Sequence, residues 1–115
     1  MEIIWGDEAS EQLKKIIDFY LQVAGPGTTE KILDKIENTA NRLTIFPCMG
    51  PLESELADLS YTYRSIVAHP HYKIIYRVTE KVIYIVGIWD CRQDPERLKS
   101  LITKKKENRK ERRNL

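Results

Sequence analysis

The chain opens with a short apolar run, Met-Glu-Ile-Ile-Trp (residues 1–5), closed by Gly6, and this predicts an N-terminal strand. Asp7 then stands where it can cap a helix, with Glu8 and Glu11 near the positive end of the helix dipole. Ala9, Leu13, Ile16, Ile17, Tyr20, Leu21 and Ala24 follow at three- and four-residue spacings. That single apolar stripe predicts a helix to about Val23. Gly25-Pro26-Gly27-Thr28 interrupts the stripe, and Thr28 or Thr29 can cap a second helix. The second stripe is Ile32, Leu33, Ile36, Ala40 and Leu43, and Pro47 stops it after Phe46. So short a link between two helices predicts an antiparallel hairpin.

Residues 47–60 hold two prolines, a glycine and no sustained period, which reads as a loop. The period then changes. Residues 61–69, 72–79 and 82–90 predict three strands separated only by short breaks, hence an antiparallel meander. From Asp94 onward the chain favours helix and grows basic, and beyond about Lys104 it carries no apolar stripe. The order of elements predicts an α+β fold of β-α-α-β-β-β type, with the helical hairpin packed on one sheet face. Residues 1–98 form the expected domain and residues 99–115 a basic C-terminal extension.

Alternation along the strands assigns side chains to faces. Ile74, Tyr76 and Val78 share one face of the middle strand; Lys73, Ile75 and Arg77 share the other. Helices cover only one face, and unpaired cations are costly to bury there. Arg64, Lys73 and Arg77 are therefore expected on an open face with Ile66, while Tyr76, Ile74, Val78 and Val67 enter the core. The last strand is apolar on both faces, so its own pattern leaves its register open. A two-residue turn at Glu80-Lys81 pairs Arg77 with Tyr84 and sends Val86, Ile88, Asp90 and Arg92 to the open face; a three-residue loop inverts them all. The two-residue turn is favoured because it gathers Arg92 with the other cations. The expected result is a mixed apolar and cationic groove of Arg64, Lys73, Ile75, Arg77, Tyr84 and Arg92. It suits an acidic amphipathic peptide or a phosphate backbone. The alternative is that Arg64 and Arg77 form ordinary ion pairs with Asp90, Asp94 or Glu80.

Charge sharpens this picture. Residues 1–60 carry 5 Lys/Arg against 11 Asp/Glu, whereas residues 104–115 carry 7 against 2, although the whole chain is only +2. The acidic half is the solvated face of the helices. The basic half points to an anionic partner, and Lys104, Lys105, Lys106, Arg109 and Lys110 are candidate phosphate contacts. Cys48 and Cys91 fit neither a disulfide scaffold nor, with His69 and His71, a zinc spacing, so no metal or cofactor is expected. The N-terminus lacks a signal-peptide pattern and no apolar run is long enough to span a membrane, so the expected location is cytoplasmic.

The run YRSIVAHPHYKIIYRVTEKVIYIVGIWDCRQDPERL (63–98), with Tyr63-Arg64, YKIIYRV (72–78) and the closing Arg92-Gln93-Asp94-Pro95, resembles the RelE/ParE superfamily of toxins from type II toxin–antitoxin modules. The resemblance covers residues 1 to about 98. It implies a cognate antitoxin as partner, assembly as a homodimer or as a heterotetramer with the antitoxin, and a role in plasmid or replicon stabilisation. RelE-like relatives are ribosome-dependent mRNA interferases, which would make Arg64, Arg77 and Arg92 catalytic with help from Lys73 and His71. Such relatives place a His or Tyr near the end of the last strand, and here that stretch, WDCRQDPERL, has neither. ParE-like relatives instead inhibit DNA gyrase by binding, and the ending Arg92-Gln93-Asp94-Pro95 is closer to theirs. The resemblance thus implies a ParE-like gyrase inhibitor ahead of an endoribonuclease. A decayed toxin or plain nucleic-acid-binding module stands third.

Overall fold

In the computed structural model, residues 1–102 are described. β1 (Glu2–Trp5) leads into α1 (Asp7–Val23) and α2 (Gly25–Arg42), and then come β2 (Arg64–His69), β3 (Tyr72–Val78) and β4 (Val82–Asp90). One four-stranded sheet results, in the order β1-β4-β3-β2. β1 runs parallel to β4, and the other neighbours are antiparallel, as the meander requires. A last helical segment spans 96–102.

The expected link between the helices collapses to Ala24. Gly25 already begins α2, and its φ of +83° makes the sharp turn that a side-chain-bearing residue resists. Pro26 sits in the first turn of α2, where its missing N–H costs no helical hydrogen bond. Neither threonine caps: Thr29 lies inside the helix and donates its hydroxyl to the Gly25 carbonyl at 2.8 Å. α2 also ends sooner than Pro47 demands, at Arg42, and tight turns through Phe46 follow it.

The helices cover one sheet face. Ala9, Ile36, Ala40 and Leu43 meet Tyr72, Ile74, Tyr76, Ile83, Ile85 and Ile88 in the main core. The opposite face is not open. Ile75 and Trp89 are buried there beneath Leu56 and Tyr63 from the loop and Leu98 and Ile102 from the terminal helical segment. A second small core therefore occupies the place expected for a groove.

Two register features correct the expected faces. The hairpin does turn at Glu80-Lys81: Arg77 pairs with Tyr84, and Thr79 N–H donates to the Val82 carbonyl at 2.8 Å. Beyond that point Tyr76 opposes Ile85 while Ile75 opposes Gly87, so Val86 is an extra, bulged residue. The bulge reverses the alternation. Ile88 and Asp90 consequently lie on the helix side, opposite Ile74 and Tyr72, and Trp89 takes the second face. In β2, Arg64 opposes Tyr76 and Ile66 opposes Ile74, so both are on the helix side. Ile66 packs against the main core, while Val67 faces out, 65% exposed.

Candidate functional site

The cations of the sheet are each held separately. Arg77 is fixed by the tight β3–β4 turn beside Tyr84, and its guanidinium lies 4.1 Å from the Tyr61 ring centre and 5.1 Å from that of Tyr84. Both are cation–π distances. Lys73, on the same face, forms an ion pair with Glu53, a buried loop carboxylate. Burial works to raise the Glu53 pKa, but the Lys73 ammonium, the Glu55 N–H and the Ser65 hydroxyl outweigh it and hold it below its ordinary value. Ile75 is fully buried between them, and Tyr84 is half-buried.

Arg64 points elsewhere. Its Nη1 donates to the Gly50 carbonyl at 2.9 Å, and the Gly50 N–H donates to Tyr76 Oη at 2.9 Å. Arg64 thus fastens the loop after α2 to the helix side of the sheet. Arg92 lies past the far end of β4. Its Nε and Nη2 donate to Asp90 at 2.9 and 2.8 Å, and its backbone N–H donates to Asp90 Oδ1 at 2.9 Å. The Arg92 hydrogen bonds hold the Asp90 carboxyl below the usual carboxylate range, and Asp90 in turn pushes Arg92 up.

These positions do not converge. Arg77 faces the second side near the turn, Arg64 the helix side, and Arg92 lies beyond the Tyr72–Asp90 pair at the other end. Tyr72 and Arg77 alone are five residues apart, about 17 Å along a strand. His69 and His71 sit at the β2–β3 turn, where the His71 N–H donates to His69 Nδ1 at 3.1 Å. Burial, then the neighbouring His71, draws the His69 pKa down. Near that end the Tyr72 hydroxyl approaches Tyr20 Oη at 3.4 Å, and burial foremost raises its pKa. Lys104, Lys105, Lys106, Arg109 and Lys110 lie outside the described residues. Among the described residues, no group of three His, Cys, Asp or Glu could hold a metal ion, and no helix is long and apolar enough to cross a membrane.

Three partners were not foreseen from the sequence. Glu53 sits in an aperiodic loop and gave no signal. Tyr61 was expected at the start of a strand over 61–69, whereas β2 begins at Arg64 and leaves Tyr61 against Arg77. The Asp90–Arg92 pair was readable in principle, because an i, i+2 acid and base at a strand exit can close on each other.

The family model for the ParE toxin of the type II toxin–antitoxin system parDE matches residues 3–95. The chain belongs to the ParE toxin family. It is accordingly a toxin-family member of the type II toxin–antitoxin class, with the RelE/ParE fold. A solved structure described as the chromosomal ParDE TA system from P. aeruginosa superposes with a TM-score of 0.65 at 22% identity, covering 78% of this chain and 95% of that one. A YoeB/ParE toxin from Agrobacterium tumefaciens gives 0.53 at 14% identity, with coverage of 78% and 98%. At these identities the two structures speak for the fold alone. No curated protein matches. The match to this ParE-family member ends at Pro95, just before the helical segment that closes its second core.

Proposed function

We propose that the chain is the toxin of a type II toxin–antitoxin module, that it acts by binding DNA gyrase, and that a cognate antitoxin neutralises it. The observation that carries the choice between binding and RNA cleavage is the separation of Arg64, Arg77 and Arg92. Attack of a 2′-hydroxyl on the adjacent phosphate needs cations gathered about one phosphorane and a group that moves protons. Here Arg64 holds a loop carbonyl, Arg77 lies against two tyrosines and Arg92 is bound by a carboxylate. Such an arrangement supports side chains used for shape and surface contact. Membership of the ParE family favours the same choice.

Primer extension on cellular mRNA after induction of the wild-type toxin tests this reading. The expected result is growth arrest without new mRNA ends, relieved by co-expression of the small protein encoded beside the toxin. New ends that vanish with Arg77→Ala or Arg92→Ala would instead establish the endoribonuclease.

A further inference from the structure

β1 covers only the first part of β4. Its parallel register runs from Glu2–Val82 to Trp5–Ile85 and stops, whereas β4 continues to Asp90. Backbone groups alternate sides along a strand. The Gly6 N–H donates to the Ile85 carbonyl at 2.9 Å, so Ile85 faces β1; the Cys91 N–H donates to the His71 carbonyl at 2.7 Å, so Cys91 faces the β3 side. Between them the Val86 bulge shifts the count by one, and the groups of Ile88 and Asp90 face the side beyond the end of β1. Gln12 of α1 takes one of these groups: its Oε1 accepts from the Ile88 N–H at 2.7 Å. Gly87 belongs to the same arrangement, since a Cβ there would stand 3.2 Å from Gln12 Oε1. The Ile88 carbonyl and the Asp90 N–H have no strand beside them.

This bare edge lies in a cleft of about 810 Å³ between α1 and the terminal helical segment. Ile16 and Phe19 form the α1 wall, and Phe19 is 53% exposed. Lys15 and Arg97 also line the cleft, and among the described residues neither forms an ion pair. A strand edge with a free donor and acceptor selects an extended backbone, which a helix or a phosphate chain cannot match. Glu8 lines the cleft too, and Asp90 is taken by Arg92, so Lys15 and Arg97 leave a small positive excess that favours carboxylates.

We propose that this cleft seats an extended, acidic segment of the antitoxin. The segment adds a short strand to β4 at Ile88–Asp90, sets an apolar side chain against Ile16 and Phe19, and presents carboxylates to Lys15 and Arg97. The inference rests on the antitoxin reading above and assigns that partner a surface distinct from the meander arginines Arg64 and Arg77.

Hydrogen–deuterium exchange on the full chain, alone and saturated with the small protein encoded beside it, reads strand addition directly. In the complex the Asp90 amide should exchange at least about tenfold more slowly. The double variant Lys15→Glu, Arg97→Glu should bind that protein at least about tenfold more weakly, while Lys31→Glu on the exposed side of α2 leaves binding unchanged. A formed complex in which the Asp90 amide is unprotected, or which the double variant forms at full strength, overturns the cleft assignment and leaves the antitoxin reading standing. A neighbouring protein that neither binds the wild-type chain nor relieves its toxicity overturns the antitoxin reading and the cleft with it. Concentration-dependent protection of Asp90 in the chain alone assigns the edge to a second copy and also overturns the proposal.

Discussion

Gly50 shows at the scale of one residue how the loop after α2 is fixed. A Cβ there would stand 2.5 Å from the Ser65 carbonyl oxygen and 2.8 Å from Tyr76 Oη. The first contact is with backbone and cannot swing away. Gly50→Ala should therefore cost about 1–3 kcal/mol, the usual range for an overpacked interior, read as a lower urea midpoint at unchanged slope. A midpoint equal to wild type would show that the loop shifts freely. Glu53 sets a pH dependence of its own. Its folded pKa is lowered, so its contribution to stability is complete above the ordinary glutamate value of about 4.3 and is lost as pH falls through the lower folded value. Glu53→Gln should flatten the acid limb, so that midpoints at about pH 6 and about pH 3 differ less than in wild type. An undiminished difference would place the acid sensitivity elsewhere.

At the scale of the element, the bulge at Val86 decides which half of β4 faces which core. Deleting Val86 removes only the extra residue: Gly87 then follows Ile85 directly, and Ile88 and Trp89 keep their places opposite Ile74 and Lys73. The deletion should retain cooperative unfolding, visible as a sigmoidal circular dichroism transition; loss of that transition would mean that the extra residue is itself required for the strand to reach both cores. Leu98 closes the second core from outside the family match. Leu98→Ala should cost about 2–5 kcal/mol, measured by the same urea titration, whereas a change below about 0.5 kcal/mol would show that the segment contributes no core.

These elements also mark where the sequence was legible. The helix stripes and the two-residue turn could be read because one face was polar or the spacing was short. The bulge could not, because Val82 to Trp89 is apolar on both sides and a slip of one residue leaves no trace in such a pattern. Arg64 was misassigned for a different reason. The rule against buried cations presumes no partner, and the Gly50 carbonyl supplies one across 14 residues of chain. The second face was expected to be open because the two helices can cover only one; Leu98 was read as the end of the domain and Ile102 as part of an extension, and neither as a cover.

At the scale of the whole molecule, helices seal one face of the sheet, and a loop with a terminal segment seals the other. Among the described residues, Arg64, Lys73, Arg77 and Arg92 each have a separate partner, and a cleft lies at one sheet edge. A surface of that kind supports action by docking on a large partner. The most direct measurement is a DNA gyrase supercoiling and cleavage assay with the purified full chain. The expected result is loss of supercoiling or trapped linear DNA, retained by Arg92→Ala. No effect on gyrase at large molar excess, together with ribosome-dependent mRNA cleavage that Arg92→Ala abolishes, would contradict the binding mechanism.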